Sequence, residues 1–98
     1  MASMISRDQL DTRQHAAQRM LERNISVADV LIALNSGATL EDYPDDTPFP
    51  SRLTLGWVDE RPVHVVWATA TGTARVVIIT VYEPNPEEWD NTFSRRRA

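Results

Sequence analysis

Between Arg52 and Tyr82 the chain alternates apolar and polar residues with a period of two, in three runs separated by turn signals. The runs are Arg52–Val58, Pro62–Ala70 and Thr73–Tyr82, and they are rich in Val, Ile, Thr and aromatic residues. Such alternation places successive side chains on opposite faces of a pleated sheet and cannot form the stripe of a helix. Asp59-Glu60 and Thr71-Gly72 are natural two-residue hairpin turns, so an antiparallel meander is expected. Facing residues across a hairpin share a side of the sheet. The register then puts Leu53, Leu55, Trp57, His64, Val66, Val77, Ile79 and Val81 on one face. Arg52, Thr54, Val63, Val65, Trp67, Thr69, Ile78, Thr80 and Tyr82 fall on the other. The first face is the more aliphatic and is expected to carry the helices. The second, with Arg, Thr, Trp and Tyr on an apolar floor, is the face on which a binding groove is expected.

Ahead of the sheet the period is helical. Ser6-Arg7-Asp8-Gln9 reads as a capping box, opening a helix that runs to about Arg23 with Leu10, Ala17, Met20 and Leu21 on one face. Ser26 and Asp29 form a second box, and Ile25 with Val30 is placed as a hydrophobic staple. Val27, Val30, Leu31 and Leu34 supply the buried stripe of that helix, and Gly37 is expected to end it in the left-handed conformation. Thr39–Tyr43 reads as a short strand. The prolines of Pro44–Pro50 interrupt both helix and ladder. Past Glu83, Pro84-Asn85-Pro86 stops the last strand, Glu87–Phe93 suits a helical turn, and Arg95-Arg96-Arg97 reads as a solvated tail. The expectation is one α+β domain over residues 4–94, with flexible termini at 1–3 and 95–98. Two N-terminal helices should pack on one face of an antiparallel sheet of three to four strands.

A chain of 98 residues holds one small core, and its 42% hydrophobic and 24% charged composition is that of a globular protein. It has no cysteine, which removes disulfides and thiolate metal sites. No apolar run approaches the roughly 18 residues a membrane span needs, so a cytoplasmic protein is expected. The net charge of −4 argues against a broad basic footprint for nucleic acid. All 10 basic residues are nevertheless Arg, the planar bidentate ligand of phosphate, so a local anion site remains open to the chain.

Four motifs carry a resemblance: His15-Ala16-x-x-Arg19-Met20-x-x-Arg23-x-Ile25-Ser26, Tyr43-Pro44-Asp45-Asp46, Pro62-Val63-His64-Val65-Val66, and Ile78-Ile79-Thr80-Val81-Tyr82-Glu83-Pro84. In this order they resemble a family of short bacterial and archaeal proteins of unknown function, often encoded beside zinc-finger antitoxins of the MqsA type. More distantly, the order of helix, Ile-Ser, helix, Arg-x-x-x-x-Gly, Val-rich strand and Arg-x-x-Ile-Ile-Thr is similar to BrnT-type and RelE-type toxins. That resemblance implies a RelE-like fold whose ribonuclease site lies on the sheet face away from the helices. It also implies a cognate antitoxin, of the zinc-finger or helix-turn-helix kind, as partner. Arg52, Gly56 and Thr80 then stand where the pattern has Arg, Gly and Ser or Thr, and Tyr82 where BrnT-like sequences often have Arg. Arg75 lies one residue out of pattern, and no Lys is present to match the lysines of RelE-like sites.

Metal-independent RNA cleavage needs a base for the 2′-hydroxyl, a cation on the phosphate and an acid for the leaving oxygen. His15 and His64 titrate in the right range, Arg52 with Arg19 and Arg23 can hold phosphate, Thr80 and Tyr82 carry hydroxyls, and Trp67 can stack on a base. Each has a structural alternative. His15 and Arg19 share an ordinary solvated helix face, His64 can be a hydrogen-bonded core residue, and Tyr82 can be a half-buried plug. In the expected register His64 and Tyr82 lie on opposite faces unless a bulge intervenes, which groups Arg52, Thr80 and Tyr82 together. No cofactor is called for, and no spacing supports a metal site. The leading function is an endoribonuclease toxin acting on RNA, and its chief rival is a non-catalytic module that binds a partner through its sheet or acidic loop. A small-ligand sensor with a pocket between helices and sheet is a third.

Overall fold

The computed structural model describes residues 4–70 and 72–97. It is a two-helix, five-strand α+β unit in the order β1 (Leu10–Thr12), α1 (Gln14–Arg23), α2 (Val27–Ser36), β2 (Ala38–Tyr43), β3 (Ser51–Val58), β4 (Arg61–Thr69) and β5 (Val76–Tyr82). The sheet order is β1-β5-β4-β3-β2. It is mixed, because β1 pairs with β5 in parallel. The fifth strand comes from the segment expected to open the first helix. The Ser6–Gln9 capping box does form, but it closes a single 3-10 turn. Gln9 then donates to the carbonyl of Ala74, and the Arg13 N–H to that of Ile78, so the open edge of β5 claims Leu10–Thr12. Asp11 and β-branched Thr12 are weak helix formers and give that edge little competition. Asn35 of α2 fixes the segment further, bonding both the N–H and the carbonyl of Ile5.

The second helix starts as its sequence predicts, with Ser26 and Asp29 bonding each other's backbone. Its end differs. Gly37 has φ −84°, so the left-handed residue expected there is absent, and it is Asn24 (φ 55°) that ends α1 in this conformation. Gly37 is needed for closeness instead, since a Cβ would lie 2.3 Å from the Ala33 carbonyl oxygen.

The β3–β4 hairpin has the expected register, with Leu55 opposite His64 and Val58 opposite Arg61 around Asp59-Glu60. The next hairpin does not. Thr69 faces Val76 rather than Ala74, and Thr71 of the expected turn lies outside the described residues. A bulge opposite Val66 and Trp67 then inserts one residue into β5. Beyond it Thr80 faces Val66 and Tyr82 faces His64. The bulge therefore moves Tyr82 and Thr80 to the face of His64 and turns Val81 to the other side.

The helices cover the face opposite to the one expected. Ala16, Met20, Val30 and Ala33 pack on Val63, Val65, Val76, Ile78 and Val81 in one buried cluster. With Val81 added by the bulge, this face gains an apolar residue, and the polar groups buried on it, the Thr54 hydroxyl and the Trp67 N–H, satisfy each other. Gly56 lets α2 sit directly on β3, because a Cβ there would lie 2.2 Å from the Ala33 Cα. Leu53, Leu55, Ala68, Val77 and Trp89 are buried outside that cluster. Residues after β5 fold back along this second side. Trp89 bridges Arg96 in antiparallel fashion, and the Glu88 carbonyl accepts the Arg97 N–H, so the arginines expected as a frayed tail are hydrogen-bonded to the fold.

Candidate functional site

His64 has no exposed surface and yet is fully bonded. Its Nε2 lies 2.8 Å from the carbonyl oxygen of Phe93 and its Nδ1 3.2 Å from the Tyr82 hydroxyl. A carbonyl can only accept, so Nε2 carries the proton and donates to Phe93. Nδ1 is then the acceptor, and Tyr82 donates to it. Trp89 and the imidazole pack in a T-shaped pair with centroids 4.4 Å apart, and Tyr82 makes a similar pair at 5.2 Å. Burial pushes the His64 pKa down; the bond to Phe93 opposes this, nearby Arg96 adds to it and Glu41 works against it. Burial also pushes the Tyr82 phenol up. Near neutral pH both groups are uncharged, and a Tyr–His–carbonyl chain runs into the sheet.

The outer end of that chain opens on a cleft of about 760 Å³, lined by Arg19, Arg23, Thr80, Tyr82, Glu83, Glu88 and Phe93 among others. Arg61 frames it. Its guanidinium donates to the carbonyls of Arg23 and Asn24 at the end of α1 and lies 3.2 Å from the Glu83 carboxylate. One residue thus ties the α1 wall to the wall that follows β5. A cation is favourable at this spot, where the last carbonyls of α1 are unpaired.

Four of the eight residues singled out from sequence, Arg19, Arg23, Thr80 and Tyr82, line this cleft, and His64 stands behind Tyr82. His15 is exposed on α1 beside Arg19, in a separate shallow depression with Gln18 and Glu22. Arg52 and Trp67 do not join. They pair across β3 and β4 on the helix-bearing face, with the Arg52 guanidinium 5.0 Å above the indole. The Trp67 N–H is taken by the Thr54 hydroxyl. The expected grouping of Arg52 with Tyr82 fails because the bulge turns Tyr82 away from that face. Sequence reasoning missed Arg61, Glu88 and the Phe93 carbonyl. An Arg directly after a hairpin turn was a visible signal for the first. Nothing local marks a backbone carbonyl 29 residues from its histidine.

Among the described residues no three His, Asp or Glu side chains gather as metal ligands. No described helix is long and apolar enough to cross a membrane. The molecule is thus a small α+β domain with a polar cleft at the end of a mixed sheet. Residues 12–83 match the family described as Domain of unknown function (DUF4258), and the chain belongs to it. No curated protein and no solved structure matches the chain. The matched stretch contains both helices, β2 to β5, His64 and Tyr82, while Glu88 and Phe93 come from the segment beyond it.

Proposed function

We propose that this protein is a metal-independent endoribonuclease, of the kind that serves as the toxin of a toxin–antitoxin pair in the cytoplasm. The observation that carries the reading is the hydrogen bond from Tyr82, at the cleft, to the buried acceptor nitrogen of His64. A 2′-hydroxyl placed against Tyr82 gives its proton to the phenol oxygen as the phenol proton passes to His64 Nδ1. The 2′-oxygen attacks phosphorus, the bond to the 5′-oxygen breaks, and a 2′,3′-cyclic phosphate forms. The Phe93 carbonyl holds the imidazolium, and the proton returns by the same path to the leaving oxygen. Arg19 and Arg23 supply the positive charge on the phosphate. The RelE-like resemblance agrees with a site on the sheet side away from the main helix packing, and a cognate antitoxin would close the cleft.

Purified protein incubated with RNA in a chelator is expected to yield fragments ending in cyclic phosphate. Tyr82→Phe should lower the rate by about 10²–10⁴, the worth of a positioned acid or base. An intact RNA pool with wild-type protein overturns the reading, as does full activity in Tyr82→Phe. The complete burial of His64 favours a second reading, in which the imidazole only braces the sheet and the cleft binds a partner without chemistry. RNA bound but not cleaved, equally by wild type and Tyr82→Phe, selects that reading.

A further inference from the structure

The free groups of the cleft are of two signs. Arg19 and Arg23 form no ion pair with any described residue, and neither does the Glu88 carboxylate. The other carboxylate, Glu83, is already held by Arg61 at 3.2 Å. The half-buried Phe93 ring and the exposed Pro86 add apolar surface to the same cleft. A bare polyanion would suit the arginines but meet repulsion at Glu88. A ligand anionic at one end, planar in its body and rich in N–H donors at the other satisfies all three features.

We propose that the cleft takes a guanine nucleotide, with its phosphate on Arg19 and Arg23 and the N1–H and N2–H₂ edge of guanine on the Glu88 carboxylate. Guanine presents two parallel N–H donors, the fork a carboxylate accepts bidentately. Adenine and cytosine each offer an amino donor beside a ring acceptor, which faces the second carboxylate oxygen unfavourably. Unstacked bases of single-stranded RNA are read in this manner, by an aromatic surface and by their Watson–Crick edge. The cleft volume of about 760 Å³ lies within the general range of small-molecule sites, which admits a mononucleotide. The assignment gives the ribonuclease reading a base preference and rests on it for biological meaning, but binding is measured without catalysis.

The test is titration of the full chain, followed calorimetrically, with GMP, AMP, CMP and inorganic phosphate. GMP is expected to bind about tenfold or more tighter than AMP or CMP, the discrimination a bidentate base contact typically gives. Glu88 is exposed, so Glu88→Gln is expected to fold normally, confirmed by circular dichroism. It should reduce GMP to the affinity of AMP while inorganic phosphate binds as before. Arg19→Ala combined with Arg23→Ala should weaken all four ligands. Equal affinity for GMP and AMP in the wild type overturns the assignment, as does a guanine preference that survives Glu88→Gln. Cleavage of RNA without base preference sinks this inference alone. A GMP preference with RNA left intact sinks the ribonuclease alone and keeps the base site.

Discussion

The two faces of the sheet are covered by different physics. On one, α1 and α2 lie on Val63, Val65, Ile78 and Val81, and the fit depends on shape: Gly56 lets Ala33 approach, and no polar side chain intervenes in the cluster. On the other, the segment after β5 is held by a few directed contacts: His64 to the Phe93 carbonyl, Trp89 against the imidazole, Trp57 against Phe93, and Arg96 to Glu41 at 3.2 Å. A shape-packed face tolerates pH and salt but not volume. A face held by hydrogen bonds and an ion pair has the opposite sensitivities. The proposed chemistry sits on the second face, where a titratable group can be kept poised behind a cleft.

The largest expected effect therefore comes from adding volume to the first face. Gly56→Ala places a methyl 2.2 Å from the Ala33 Cα, and only a shift of α2 away from β3 can relieve it. The cost should be about 1–3 kcal/mol, from overpacking a close contact. Denaturant melts would show this as a lower midpoint with an unchanged slope. Gly56→Ala as stable as the wild type would mean that α2 is not seated on β3 as described.

Two elements explain what sequence could and could not show. The Ser26–Asp29 capping box and the Asp59-Glu60 turn are local signals, complete within four residues, and both produced the expected structure. The membership of each face along β3 and β4 followed from them. The bulge in β5 has no local mark: Ile78-Ile79-Thr80-Val81 alternates weakly, so the slip by one residue that joins Tyr82 to His64 was hidden. The first helix was overextended because a capping box does not distinguish a 3-10 turn from the start of a long helix. What displaced the helix start was the free edge of β5, some 65 residues away. Charge alone did not show which arginines share a cleft. Arg52 looked like a phosphate ligand by pattern, yet its guanidinium lies over Trp67.

A smaller effect tests the second face through pH. Burial holds the folded-state pKa of His64 below its ordinary value of 6.5. Between these two values the unfolded chain binds the extra proton, so stability falls as pH drops below about 6.5 and levels off once the folded imidazole also protonates. The groups facing His64 are Tyr82, Trp89, the Phe93 carbonyl, Arg96 and Glu41. Glu41 has its own pKa held down by Tyr43 and Arg96, so its contribution is lost only at more acid pH, around and below 4.5. His64→Gln should abolish the upper step and leave the lower one. Melting temperatures from pH 8 to 5 that stay flat in the wild type would contradict a buried neutral His64.

The smallest expected effect on stability separates Arg52 from the arginines of the cleft. Arg52 is exposed at the sheet end remote from Tyr82, over Trp67, and touches none of the cleft. Along the strands its partner Trp67 lies three residues from His64, roughly 10 Å at the rise of a strand. Arg52→Ala should thus lose only an exposed cation–π contact, about 0.5–1 kcal/mol, and leave RNA cleavage within about twofold of wild type. Arg19→Ala should do the reverse, barely changing stability and lowering the rate by about 10²–10³ if it stabilises the developing phosphate charge. The pattern match to toxin sequences predicts the opposite ranking, with Arg52 at the scissile phosphate. Measuring both variants side by side, in melts and in cleavage assays, decides between a site defined by motif position and one defined by the cleft. Loss of cleavage in Arg52→Ala at intact stability would move the active site to the other face of the sheet.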